Sequence, residues 1–165
     1  MKRHDAEQQT EELLRALIES GVDFVVVGGV AAIAHGATRS TKDLDVVIPM
    51  VPDNLRRLLA ALMPHAPVHL HRPDLGIIPQ TPEELSAFRT LLISTALGRI
   101  DILREVDPIG EHDALETIEL ELVDGLACRV VSLDQLVEIK SHVGRPHDLS
   151  VEAELRKIRE LRGSD

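Results

Sequence analysis

Aromatic residues are nearly missing from this 165-residue chain, which has no Trp, no Tyr, and only Phe24 and Phe88. Stacking platforms for single-stranded nucleic acid need aromatic faces, so a broad nucleic-acid binder is disfavoured. Cations are also scarce: 18 Lys and Arg stand against 28 Asp and Glu, a formal charge of −10. Wrapping a long nucleic acid takes many Lys and Arg contacts to phosphate, so no extended nucleic-acid surface is expected. A local contact with one RNA end or one nucleotide stays open. Cysteine is reduced to Cys128, which rules out an internal disulfide and fits a reducing, cytoplasmic setting. Cys128 reads as a small core residue inside a strand. No apolar run approaches the roughly 20 residues that span a bilayer, so no membrane partner is expected. The opening residues, Met1 to Asp5, lead into Glu and Gln, so no secretory signal is expected either.

Apolar residues make up 44% of the chain, so it can bury a core. Its length, with no dividing linker, points to a single domain over 1–165. Thr10 reads as a helix N-cap before the stripe Leu13, Leu14, Leu17 and Ile18, with Gly21 as the stop. Phe24–Val27 reads as a strand, Gly29–His35 as a short Ala-rich helix, Leu44–Ile48 as a strand and Asp53–Met63 as a helix. The proline-rich stretch Pro64–Pro79 reads as loop or irregular edge. Thr81-Pro82-Glu83-Glu84 is a capping box opening a short helix. Thr90–Leu97 and Ile100–Leu103 read as a hairpin turning at Gly98-Arg99. Ile118–Val123 and Leu126–Val131 form a second hairpin around Asp124-Gly125. Ser132-Leu133-Asp134-Gln135 is a further capping box, for a helix reaching about His142. Val143–Leu149 reads as loop. Ser150–Arg162 reads as a charged helix with a solvated face and i,i+4 pairs from Glu152 onward.

The most informative stretch is Phe24–Pro49, FVVVGGVAAIAHGATRSTKDLDVVIP. Strand residues two apart share a face, so Asp43 and Asp45 stand side by side at the start of a buried strand. Like charges that close repel unless a cation sits between them. Hard oxygen donors of this kind suit magnesium or manganese. Gly28 and Gly29 end one strand and begin a helix. They make a tight turn, or they let backbone N–H groups approach a phosphate. Neither a dinucleotide fingerprint nor a Walker A loop is present. Asp101, in Arg99-Ile100-Asp101-Ile102-Leu103, is a lone acid between apolar neighbours. It lies at a solvated edge or has a partner.

The pattern of strand, Gly-Gly, short helix and Asp-hydrophobic-Asp resembles the nucleotidyltransferase superfamily, the fold family of DNA polymerase β. The wording Arg-x-Thr-x-Asp-Leu-Asp, with His35-Gly36 before it, is closest to the AbiEii-like nucleotidyltransferase/toxin family. The resemblance implies an α/β (α+β) fold, a mixed β-sheet with flanking helices in the minimal nucleotidyltransferase form. It implies that Asp43, Asp45 and Asp101 are metal-binding and catalytic. The first two would hold a magnesium or manganese ion, and a second ion would bridge to Asp101, which can also act as general base. NTP, such as ATP, is the implied co-substrate. NMP would pass to a hydroxyl on RNA, protein or a small molecule, with pyrophosphate leaving. Arg39 would face the triphosphate, and Thr41 would cap the turn and orient Asp43. Lys42 reads as solvated, and His35 as a helix-end histidine bonded to backbone.

The ending Lys140-Ser141-His142-Val143-Gly144-Arg145-Pro146-His147-Asp148 resembles the Lys…Arg-x-Lys-Asp ending of AbiEii-like proteins. There Lys140 and Arg145 would meet nucleotide phosphates, and Asp148 would hold the loop or cap the last helix. The helices over about 132–162 would pack on the site or close over it. His147 replaces the usual lysine, which weakens a second basic contact and makes it pH-sensitive. AbiEii-like members imply a toxin of a toxin–antitoxin or phage-defence pair, with an antitoxin protein as partner. The main alternative is a catalytically inactive module of this fold that binds nucleotide or a protein. An Asp-x-Asp phosphatase fits less well, because the glycines precede the acids and Val46-Val47 follows them. His69 and His71 lack the companions of a zinc site and read as an exposed edge.

Overall fold

β-Branched residues dominate the centre of the sheet, where side chains are packed on both faces. In the computed structural model, which describes residues 7–39, 41–75 and 78–163, helix α1 (Thr10–Glu19) leads to strand β1 (Val25–Val27), whose three valines are all buried. Helix α2 (Gly28–Ala34) follows at once, then β2 (Asp43–Val47) and α3 (Pro52–Leu62). A two-residue strand, β3 (Val68–His69), and the short helix α4 (Pro82–Leu85) precede the hairpin β4 (Thr90–Thr95) and β5 (Gly98–Leu103). A small ribbon, β6 (Glu105–Val106) with β7 (Gly110–Glu111), precedes the hairpin β8 (Thr117–Val123) and β9 (Leu126–Val131). Helices α5 (Leu133–Val143) and α6 (Pro146–Gly163) complete the chain.

The main sheet runs β3-β4-β5-β2-β1-β9-β8. β2 lies antiparallel to β1 and parallel to β5, while β1 lies parallel to β9. The sheet is therefore mixed and helix-flanked, the architecture expected from the motif. α1 packs with α3 and against β5, β8 and β9, whereas α2 packs on β1, β2 and β9 and against α5, which carries α6. Ala31 and Ala32 are buried. Their small side chains let α2 lie close to the sheet beside the acids of β2. Cys128 is buried in β9, and burial pushes its thiol up to about 11, consistent with an inert core residue. Buried Asn54 ties the start of α3 to the segment leading into β1. It accepts from Asp23 N–H at 2.8 Å and donates to the carbonyls of Asp23 and Pro49 at 3.0 and 3.2 Å.

Several boundaries differ from the sequence expectations. Gln9, not Thr10, is the N-cap of α1, and it makes no side-chain cap bond. The β4–β5 hairpin turns at Ala96-Leu97, so Gly98 and Arg99 open β5 and pair with Thr95 and Ser94. Thr95 builds that turn with its hydroxyl, which donates to Gly98 O at 2.8 Å and accepts from Leu97 N–H at 3.0 Å. The capping box at Thr81 forms in full. The one at Ser132 is half made: Ser132 accepts from Gln135 N–H, but the Gln135 side chain turns to Glu116 N–H and Ala114 O. Val143–Leu149 is not a loop. Gly144 ends α5 at φ +69°, and α6 begins two residues later at Pro146, where a missing N–H is harmless.

α6 is also less solvated than its charge suggests. Val151, Leu155 and Glu152 are buried, and Ile158 packs on the core. One i,i+4 pair on it joins Arg156 and Glu152 at 2.5 Å. The proline-rich stretch contains edge strand β3, where His69 bonds Gln80 Oε1 at 2.7 Å and stacks on Phe88 with ring centroids 6.0 Å apart. The expectations for Met1–Asp5 lie outside the described residues. Leu155→Ala should cost about 2–5 kcal/mol of stability, because it opens a cavity under α6. Exposed Leu161→Ala should stay within about 0.5 kcal/mol, and urea unfolding of both variants checks the contrast.

Candidate active site

β2 sits between β1 and β5, and that placement assembles the acids. Asp45 is in register with Asp101 of β5, and Asp43 with Arg99. Register partners share a face, so one sheet face carries Asp43, Asp45, Arg99 and Asp101 together. Carboxylate oxygens of the three acids lie within 4.8 Å of one another. The chemistry of this donor set fits a hard divalent cation.

The electrostatics of the cluster follow from crowding. Burial, then the neighbouring charges of Asp43 and Asp101, push the Asp45 carboxyl up to about 7. Burial and Asp101 also raise Asp43, an effect that Arg99 opposes. Asp101, only 8% exposed, is gripped by the Arg99 fork: Nε donates to one oxygen at 2.9 Å and Nη2 to the other at 3.1 Å. The same Nε stands 3.6 Å from Asp43. Sequence reasoning places Arg99 in a turn and so leaves it out of the site residues. The available signal was its spacing of two from Asp101, which on a strand means one face.

Gly28 adopts φ +68°, and a Cβ there would stand 2.3 Å from an Asp45 carboxylate oxygen. Only glycine fits that approach. A Cβ on Gly29 would press on the Thr41 side chain, at 3.0 Å from its hydroxyl oxygen. The Thr41 hydroxyl donates to the Asp43 carbonyl at 3.0 Å, so Thr41 fixes the backbone at the start of β2. Lys42 is exposed. His35, buried at the end of α2, bonds Val131 O through Nε2 at 2.8 Å. Its Nδ1 receives a bond from Arg162 at 3.1 Å.

A cavity of about 510 Å³ opens in front of the acids. Gly29 and Ala32 of α2, Arg39, Thr41, Arg99, Lys140 of α5, and Arg145 and Val151 line it with the three carboxylates. Its volume lies in the range of small-molecule sites, roughly 300–1,000 Å³. Arg39 reaches across to α6, donating to Ser150 Oγ at 2.6 Å and standing 3.6 Å from Glu154. Asp148, in the first turn of α6, takes Lys140 at 3.4 Å and Arg145 at 3.6 Å. The proposed second basic contact at His147 concerns a side chain outside the described residues, as does Ser40.

No family model matches the chain, and no curated protein matches it. Among solved structures, it resembles the solution structure of the antibiotic-resistance factor ANT(2'')-Ia, with a TM-score of 0.55 and 16% identity over 93% of this chain and 86% of that one. It also resembles the crystal structure of ANT(2'')-Ia in complex with adenylyl-2''-tobramycin, with a TM-score of 0.56 and 16% identity over 93% and 92% of the two chains. At that identity the likeness is one of fold. It agrees with the mixed, helix-flanked sheet expected from the Gly-Gly and Asp-Leu-Asp motif.

The raised carboxyls set a pH dependence. Below the ordinary Asp value of about 4, Asp45 is protonated in both folded and unfolded chains. Between there and about 7, the unfolded chain releases the proton and the folded one keeps it. Stability contributed by this group is therefore present at acid pH and lost as pH rises through that window. Without metal, Asp45→Asn should abolish that loss and melt higher than the parent at pH 8. Manganese should raise the parent's melting temperature more at pH 8 than at pH 5.5. Differential scanning fluorimetry across pH reads both effects.

Proposed function

We propose that this protein is a metal-dependent nucleotidyltransferase that moves NMP from an NTP to a hydroxyl acceptor. One observation carries the reading. Three carboxylates from β2 and β5 converge on one face of a nucleotidyltransferase-type sheet, before a cavity that Arg39, Lys140 and Arg145 also line. Acids alone would repel a triphosphate, and cations alone would bind it without a place for a divalent ion. The two sets together suit a metal–nucleotide complex.

In this proposal residues 1–165 form a single catalytic domain, and the C-terminal helices over about 132–162 close the cavity. Asp43 and Asp45 hold a magnesium or manganese ion, and Asp101 completes the donor set. Such an ion, when bound, neutralises phosphate charge and lowers the pKa of a hydroxyl. The acceptor oxygen attacks the α-phosphorus, the bond to pyrophosphate breaks, and the hydroxyl proton passes to the Asp101 carboxylate. Lys140, Arg39 and Arg145 neutralise the outer phosphates, while the backbone at Gly28-Gly29 lets them approach. Asp148 holds Lys140 and Arg145 in place, and Thr41 keeps Asp43 aimed. A small-molecule acceptor is one class, as adenylyl-2''-tobramycin is the modified molecule in the ANT(2'')-Ia complex. RNA and protein hydroxyls are the others. Membership of the AbiEii-like branch, a toxin or phage-defence role and an antitoxin partner rest on the wording at Arg39–Asp45 and Lys140–Asp148. The neighbouring genes test them.

Incubation with labelled NTPs and cell extract should place label in RNA, protein or small molecules and release pyrophosphate. Nucleotide binding without pyrophosphate would identify a binding module instead. Asp43→Asn or Asp45→Asn should cut incorporation by roughly 100-fold or more with the fold intact by circular dichroism. Near-parental incorporation in either variant would remove the metal assignment. Lys140→Ala should weaken apparent NTP affinity about tenfold, the loss of one charge-assisted phosphate contact. Unchanged affinity would take Lys140 out of the site.

A further inference from the structure

Among the described residues, Arg99 is the one cation that forms ion pairs with members of the acid cluster. Its backbone is fixed by Gln8, which accepts from Arg99 N–H at 2.8 Å and donates to Arg99 O at 3.0 Å. Its side chain projects from that fixed base along the face of β5, 38% exposed, into the cavity. Both oxygens of Asp101 accept from its guanidinium, at 2.9 and 3.1 Å. The other cavity cations are held differently. Arg39 is tied to Ser150 and Glu154, and Lys140 and Arg145 to Asp148, all partners on α6. Of these four cations, Arg99 is the one ion-paired with the acids expected to face a metal.

We propose that Arg99 is a built-in counter-ion of the acid cluster, displaced from Asp101 by a divalent cation and thereby freed to grip the phosphates of the nucleotide. The inference rests on the metal-binding reading of the cluster. A guanidinium and a divalent ion cannot both take the inward oxygens of Asp101 without strong repulsion between them. The same planar fork that fits a carboxylate fits phosphate oxygens. A triphosphate arriving with the ion would offer Arg99 a new partner within the cavity it already lines. Metal and nucleotide binding are then coupled through one side chain, and the coupling is reciprocal. In this role Arg99 keeps Asp101 and Asp43 gathered before substrate arrives and then contacts the phosphates.

The test is manganese titration by calorimetry at pH 8, without nucleotide, on the parent protein, Arg99→Met and Arg99→Lys. Removal of the competing cation should tighten manganese binding about tenfold in Arg99→Met. Arg99→Lys, which keeps the charge but lacks the two-pronged fork, should fall between Arg99→Met and the parent. It also serves as the readout if Arg99→Met fails to fold. A non-hydrolysable NTP analogue should strengthen manganese binding more in the parent than in Arg99→Met. Equal or weaker manganese binding in the folded variants would overturn the proposal and leave the metal site standing, because a merely structural Arg99 supports the ligands. If the parent itself binds no manganese, the metal reading fails, and this inference with it.

Discussion

Three carboxylates crowded onto the middle of a buried sheet are the constraint around which the rest of this structure is arranged. Repulsion and lost hydration both oppose that placement, and their effect is visible in Asp45, whose carboxyl is pushed up to about 7. The surrounding sequence offsets the strain locally. Leu44 and Val46, alternating with the acids, are fully buried on the other face of β2, so hydrophobic packing holds the strand that repulsion would loosen. Arg99 lies opposite Asp43 in register and two residues before Asp101. Gly28 leaves open the space that Asp45 occupies. Arg99 and Gly28 thus answer to the acids, while Leu44 and Val46 serve the core.

The legible part of the site was the part written in a short period. Asp43-Leu44-Asp45 alternates on a strand, so one face and one chemistry followed from the spacing. The strand, Gly-Gly and helix succession was equally local. Asp101 was a different matter, because its place beside Asp45 depends on β2 and β5 pairing in parallel across about 55 intervening residues. Composition and period do not encode such a pairing, and only the resemblance to a superfamily supplied it. Arg99 was lost for a sharper reason. Glycine is a strong turn signal, and Gly98 drew the turn two residues too far along the chain. The true turn is made by the Thr95 hydroxyl, a side-chain device that simple turn propensities do not reveal.

The start of the C-terminal helix lies four residues before the expected Ser150 for a related reason. Gly144-Arg145-Pro146 looked like a loop because both helix-breaking residues fall within three positions. Glycine just past one helix and proline at the first position of the next are in fact the favoured punctuation for two helices meeting at a corner. That corner matters for the site. It puts Asp148 in the first turn of α6, within reach of both Lys140 and Arg145. At its far end α6 is tied down again, where Arg162 donates to His35 O at 2.8 Å and to the His35 ring. His35 itself is held below the ordinary histidine value by burial and by the Arg162 charge, against the hydrogen bond to Val131 that favours its charged form. A neutral ring accepts from Arg162 through Nδ1 while donating through Nε2, which is the pattern these partners require.

The distribution of charge resolves an apparent contradiction between the chain as a whole and its cavity. The chain carries −10, yet four of the seven charged residues lining the cavity are cations: Arg39, Arg99, Lys140 and Arg145 against Asp43, Asp45 and Asp101. The balancing acids, Asp148 and Glu154, come from α6, where they brace the cations. A long polyanion would meet repulsion over most of the surface, because fields between exposed charges decay over only about 8–10 Å in physiological salt and local attraction cannot offset that. A compact anion that fits within the cavity, and brings a cation for the three carboxylates, meets complementary charge at both ends. The acidity of the chain and the basicity of the pocket thus act together as a filter. On the proposed function, that filter would favour a small metal-bound polyphosphate over a nucleic-acid strand, through the placement of charge alone.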